Sequence, residues 1–215
     1  MADVEHYIAV CASTALRPVP LTPEISLYSA EDAYQVWEIT RFDADDAPVP
    51  YWSFPWPGGQ ALARHVLDHP ELVRGRRVLD LAAGSGLVAI AAAKAGAARA
   101  IANDIDEFAA AAQDLNARAN GVAIEMVMAD ILDDDPAADV VLAGDVCYER
   151  DLSDRLVAFL RRAAARGADV LLADPGRAYL PIDGLDAVAV YDVPTSLALE
   201  SSDHKRTTLW RPDST

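Results

Sequence analysis

Five apolar strands separated mostly by helical stretches, then two strands with no helix between them, predict an α/β fold. The expected architecture is a doubly wound, mostly parallel seven-stranded sheet with helices on both faces and a C-terminal antiparallel hairpin. Two further features support it. Each of the five strands ends in an acid, at Asp80, Asp104, Asp130, Asp145 and Asp174, and open sheets bind ligands beyond the carboxyl ends of their strands. A Gly84-Ser85-Gly86 turn also stands between the first of these strands and an alanine-rich helix.

The elements follow from the pattern in chain order. Pro18, Pro20 and Pro23, with no clean period, predict a loosely packed arm over 1–23. A short strand is expected over 24–28, a weak helix over 30–39 and a loop over 42–50. The aromatic, Gly- and Pro-rich stretch 51–59 (YWSFPWPGG) precedes a helix over 60–67. Regular alternation then gives strand 77–81, helix 86–95, strand 99–103, helix 106–119 and strands 123–128 and 138–143. Helix 151–166, strand 169–173 and strands 187–193 and 205–211 complete the sheet. Residues 1–59 are expected to be an extension, partly irregular, that contributes to the cleft; residues 60–215 form the main unit of one structural domain. In helix 106–119, Glu107, Gln113, Asp114 and Asn116 are expected to face outward and the alanines inward.

With 215 residues and 52% hydrophobic content, the chain can bury a full core. Its 34 acids against 18 bases give a net charge of −16, which argues against a nucleic-acid partner and is compatible with a cationic protein surface. Cys11 and Cys147 are too few for a disulfide framework, so a reducing compartment, the cytoplasm, is expected. The N-terminus carries acids where a signal peptide has bases, and no apolar run approaches a membrane span. A monomer is expected. His6, His65, His69 and His204 have no metal-ligand spacing and read as surface residues, and the acids from Asp133 to Asp135 read as solvated. No metal is expected. Ser85 lacks the pattern of a hydrolase nucleophile.

The glycine turn and Asp104, twenty residues after Gly84, point to a nucleoside-containing cofactor. Gly84, Gly86 and Ala89 satisfy the dinucleotide fingerprint, so a nicotinamide enzyme is one reading. Asp80 stands against it, because that strand position is usually apolar in dinucleotide folds. So do the absence of a second mononucleotide half and the terminal strand pair. S-adenosylmethionine fits better: its ammonium group calls for an acid near the turn, Asp80, and its ribose for Asp104. Asp130 and Ile131, after the next strand, could bracket the adenine.

The segments VLDLAAGSGLVAI (78–90), ANDID (102–106), GDVCYE (144–149) and DPGR (174–177) together resemble the seven-strand class I methyltransferases. With YWSFPWPGGQAL (51–62) and LTPEI (21–25), the chain is most similar to the protein lysine methyltransferases of the electron-transfer flavoprotein β-subunit type. The resemblance implies that Gly84, Ser85, Gly86 and Gly144 lie along the cofactor, with Asp80 at its amino group and Asp104 at its ribose. Ile105, Asp130 and Ile131 would border adenine, and Trp56 would close over the cofactor. Asp145 and Tyr148 match the family's acid-x-x-aromatic element facing the target lysine, and Glu149, Asp174 and Arg177 would lie on the substrate side. Cys147 departs from the family pattern, which often has a second aromatic there.

Methyl transfer from a sulfonium is an in-line displacement, accelerated largely by holding the reacting groups collinear. The resemblance therefore implies that Asp145 orients the lysine ammonium and that Tyr148 offers an aromatic face to it. The favoured partner is the electron-transfer flavoprotein β-subunit. A ribosomal-protein methyltransferase, a small-molecule methyltransferase and a non-catalytic cofactor-binding module are the alternatives.

Overall fold

A computed structural model of the chain describes residues 3–40, 49–135 and 137–213. The loop expected over 42–50 lies almost wholly outside the described residues. The main sheet contains β3 (Arg77–Leu81), β4 (Arg99–Asp104), β5 (Glu125–Met128), β6 (Val140–Gly144), β7 (Asp169–Asp174), β8 (Leu185–Pro194) and β9 (His204–Pro212). Their order across the sheet is β5-β4-β3-β6-β7-β9-β8. β3 to β7 run parallel, and β9 is antiparallel to both β7 and β8. The expected seven strands and terminal hairpin are therefore present.

Side chains alternate across the parallel strands, because successive Cβ atoms point to opposite faces. Val78, Ala100, Ala102, Val140 and Leu142 pack beneath α3 (Pro57–Asp68) and α4 (Leu87–Lys94). Leu79, Leu81, Ile101, Val141 and Ala143 pack against α6 (Arg150–Ala165) on the other face. Phe159 of α6 is fully buried there, and its truncation to alanine would cost about 3–5 kcal/mol. No helix among the described residues is long and apolar enough to cross a membrane.

The described part of the arm expected over 1–23, residues 3–23, is instead regular. It contains α1 (Val4–Ser13) and the antiparallel pair β1 (Ala15–Val19) and β2 (Thr22–Ser29). Asp3 and His6 close a capping box on α1. The prolines misled because an edge strand tolerates them: Pro18 sits in β1 at a register shift, and Pro23 is the second residue of β2. α2 (Ala33–Thr40) follows, close to the expected weak helix.

The outward face assigned to α5 (Glu107–Ala119) also needs correction. Gln113 and Asn116 are fully buried. Asn116 Oδ1 accepts from Tyr28 N at 2.7 Å, and its Nδ2 donates to Ser85 O at 2.9 Å. Gln113 Nε2 donates to Gly84 O at 3.2 Å. α5 is thus covered on that side by β2 and the glycine turn, so its amides serve backbone groups rather than water. His65, expected at the surface, is buried as well, with Nδ1 2.9 Å from the Tyr191 hydroxyl. Burial holds its imidazole below the ordinary histidine range.

Candidate active site

A cleft of about 730 Å³ opens at the carboxyl edge of the sheet, where the strand-end acids collect. Asp80, Asp104 and Asp145 all line it. So do Trp56, Gly84, Ser85, Ile105, Asp130, Ile131, Gly144, Tyr148, Glu149 and Arg177. Gly86 and Asp174 stand behind the lining and shape it from there.

The first half of the cleft is built on the β3–α4 turn. Gly86 is the N-cap of α4 at φ 78°, and a Cβ there would come within 3.1 Å of Gln113 Cγ. Without a capping side chain of its own, α4 receives Asp80, whose Oδ2 accepts from Ala89 N at 2.9 Å. Asp80 is 2% exposed, and burial, with the Asp104 charge adding, pushes its carboxyl up to about 7. Asp104 Oδ2 accepts from Gly84 N at 2.7 Å, and Oδ1 accepts from Ile105 N and Asp106 N. Burial raises its pKa too, against those three backbone bonds. Ile105 leaves β4 with its side chain three-quarters exposed beside this acid, an apolar surface for a flat ring. Asp130 is exposed and carries a two-pronged pair with Arg155, at 2.9 and 3.2 Å. Arg155 also lines the cleft.

The second half is built where α3 meets the end of β6. Pro57 opens α3 in the first helical position, a favoured place for it. The helix then carries Gly58 and Gly59 against Gly144 and Asp145. A Cβ on Gly58 would lie 2.5 Å from Ala173 O, and one on Gly144 would lie 2.8 Å from Gly59 N. The WPGG and GD motifs are therefore two sides of one close backbone approach. Asp145 has a left-handed backbone, φ 59°, directly after β6, a conformation that clusters at functional sites. Its Oδ2 accepts from Gly58 N, and its Oδ1 accepts from Arg177 Nε at 3.1 Å and Nη2 at 2.7 Å. Burial lifts the Asp145 carboxyl to about 6 against the pull of Arg177. Asp174 Oδ1 accepts from Gly176 N and Arg177 N and so holds the turn that presents Arg177.

The walls are aromatic. The Arg177 guanidinium lies 5.7 Å over the Trp56 ring, and Trp56 Nε1 donates to Tyr51 O at 2.7 Å. Tyr51 is 5.9 Å from Trp56 and 5.1 Å from Tyr148, ring centre to ring centre. Trp52 is buried and stacks on Phe108 while also lining the cleft. Burial pushes the Tyr148 phenol and the Cys147 thiol each up to about 12, so both stay neutral near pH 7.

Comparison with known proteins gives the family. A lysine methyltransferase of the electron transfer flavoprotein beta subunit from Danio rerio is 38% identical, over 97% of this chain and 83% of the relative. The chain belongs to the electron transfer flavoprotein beta subunit lysine methyltransferase family. The Homo sapiens member is 38% identical over 88% of this chain and 75% of its own length. Residues 62–147 match the family model of ribosomal protein L11 methyltransferase (PrmA). Among solved structures, magnesium protoporphyrin IX methyltransferase from Synechocystis with bound SAH shares the fold. Its TM-score is 0.52 and its identity 17%, with 72% of this chain and 81% of that chain covered.

Two features of the site had little local signal in the sequence. Tyr51 lay inside a quoted motif and carried no role. Glu200, from the short helix α7 (Leu197–Glu200), is buried and pairs with Arg177, yet nothing around it in the sequence marks it.

Proposed function

We propose that this protein transfers methyl groups from S-adenosylmethionine to lysine side chains of the electron-transfer flavoprotein β-subunit. The observation that carries the reading is one cleft with Asp80 and Asp104 in one half and Asp145 and Tyr148 in the other. The chemistry of the first half fits the cofactor: Asp80 is a buried acid whose hydrogen bonds come from backbone N–H groups of α4, and an α-ammonium would supply its counter-charge. S-adenosylmethionine brings an activated methyl group on a sulfonium. Asp80 would take its ammonium and Asp104 its ribose hydroxyls, with the Gly84-Ser85 backbone and Gly144 along the chain between. Ile105, Ile131 and Asp130 would border the adenine, and Trp56 would close the cleft.

The chain's own residues would then act on the lysine. Asp145 orients the ammonium and Tyr148 offers a neutral ring face, worth about 0.5–2 kcal/mol to a cation. Since a carboxylate favours the charged amine, the proton leaves to solvent rather than to a strong base. Glu149, Asp174 and Arg177 shape the substrate side. Residues 1–59 act as an extension that walls the cleft, a role supported by Tyr51, Trp52, Phe54 and Trp56 in its lining.

Purified protein, methyl-labelled S-adenosylmethionine and the purified flavoprotein make the test. Label on β-subunit lysines, located by mass spectrometry, is expected. Cofactor binding with no transfer to that subunit would remove this substrate. Label on a ribosomal protein instead would favour the second reading, which the match over residues 62–147 supports.

A further inference from the structure

The substrate half of the cleft already holds a cation. Arg177 fills Asp145 Oδ1 with two donors, from Nε and Nη2, while Gly58 N occupies Oδ2. A lysine ammonium arriving from the cleft therefore meets a like charge seated on the carboxylate that should receive it. Arg177 has a second anchor. Its Nη1 and Nη2 donate to Glu200 Oε2 and Oε1, a two-pronged pair that holds a guanidinium without help from Asp145.

Glu200 reaches this position through a folded hairpin tip. β8 runs parallel to β7, so the connection from β8 to β9 emerges at the same sheet edge as the strand-end acids. Thr195 N donates to Asp203 O at 2.8 Å, and Thr195 Oγ1 to Ser202 O at 2.6 Å, which folds the tip back. The Glu200 side chain is 4% exposed, and Leu199 beside it lines the cleft. Lys205 Nζ lies 3.5 Å from Glu200 Oε2. Asp145, Asp174 and Glu200 thus gather three buried carboxylates around Arg177, with Lys205 at the edge. This group can accept one more positive charge.

We propose that Glu200 is a positioning residue: it takes Arg177 over when a primary ammonium enters, which frees Asp145 Oδ1 for the substrate. The proposal rests on the reading that this cleft receives a lysine side chain. Arg177 is then a resident stand-in for the substrate's charge, and the β8–β9 tip decides where it sits.

Two measurements test it. In steady-state methylation of the flavoprotein, Glu200→Gln removes the second anchor, so KM for the protein substrate should rise at least about tenfold, with kcat and cofactor affinity within about twofold. Adding Arg177→Gln should bring KM back towards wild type, because nothing then competes for Asp145. Losses that add in the double variant, or an unchanged KM in Glu200→Gln, would overturn the proposal. The second measurement needs no protein substrate. Butylammonium chloride, with sodium chloride as the ionic-strength control, should shift the ¹⁵N-detected Arg177 Nε signal in the wild type and leave it unmoved in Glu200→Gln. An Arg177 signal indifferent to butylammonium in the folded wild type would also overturn it. If that signal moves while the flavoprotein is not methylated, the substrate assignment fails and the arginine exchange stands.

Discussion

Helices α3 and α4 both begin without a capping side chain of their own, and each borrows a carboxylate from the end of a strand. Asp145 at the end of β6 accepts from Gly58 of α3, and Asp80 in β3 accepts from Ala89 of α4. The local geometry is alike and the electrostatics differ. Asp145 is bound by Arg177, while Asp80 is bonded through Ala89 N and feels the repulsion of Asp104. One half of the cleft carries its own counter-charge. At Asp80 in the other half, the counter-charge would come from a ligand. A cofactor with a fixed cationic group and a substrate that must displace a resident cation follow from that difference.

The comparison can be broken at four points. Asp145→Asn keeps the shape and the acceptor for Gly58 N while removing the charge. Turnover should fall about a hundredfold, the cost of a misplaced reactant, with cofactor affinity within about twofold by calorimetry. Equal losses in both would erase the division between the halves.

Asp80→Asn should do the reverse to the cofactor. Losing a charge-assisted contact weakens affinity by about 10–100-fold. The ligand-free variant should nevertheless melt no lower than wild type at pH 8, because it no longer buries an unpaired charge. The pH dependence has a definite sign. An acid raised from 3.8 to about 7 on folding binds more protons in the native state, so its contribution to stability is present at low pH and lost as pH rises through 7. Cofactor binding favours the ionised form, so affinity should climb between pH 6 and 8, by up to about tenfold per unit. A flat profile in the wild type, or the same slope in Asp80→Asn, would contradict this.

Gly58→Ala tests the shared backbone approach. Its Cβ would meet Ala173 O at 2.5 Å, so strand and helix must part, at about 1–3 kcal/mol in a denaturant titration. Arg155→Ala is the smallest case. The Arg155–Asp130 pair is solvent-exposed, and cofactor affinity should change by less than about threefold.

The two halves also differ in how far the sequence discloses them. Asp80, Gly84 and Asp104 lie within one βαβ stretch; the spacing of Gly84 and Asp104 pointed to a nucleoside cofactor, and Asp80 then favoured one with an ammonium group. The substrate half draws on Trp56, Gly58, Asp145, Arg177 and Glu200, which only the sheet order brings together. Asp145, Tyr148 and Arg177 were reached through family resemblance, and Glu200 was not reached. The central strands β3, β4, β6 and β7 were legible because burial on both faces imposes continuous apolar runs. The N-terminal hairpin was not, since prolines on an edge strand look the same as prolines in a loop. The buried amides of α5 escaped for a related reason: a polar side chain that bonds a neighbouring loop leaves the same trace as one that faces water.

A crystal structure with S-adenosylhomocysteine bound tests the central claim most directly. The account predicts the amino group within hydrogen-bond distance of Asp80, the ribose hydroxyls at Asp104 and the sulfur turned towards the Asp145 side of the same cleft. A ligand bound elsewhere, or one whose amino group meets a residue other than Asp80 while its sulfur faces away from Asp145, would contradict it.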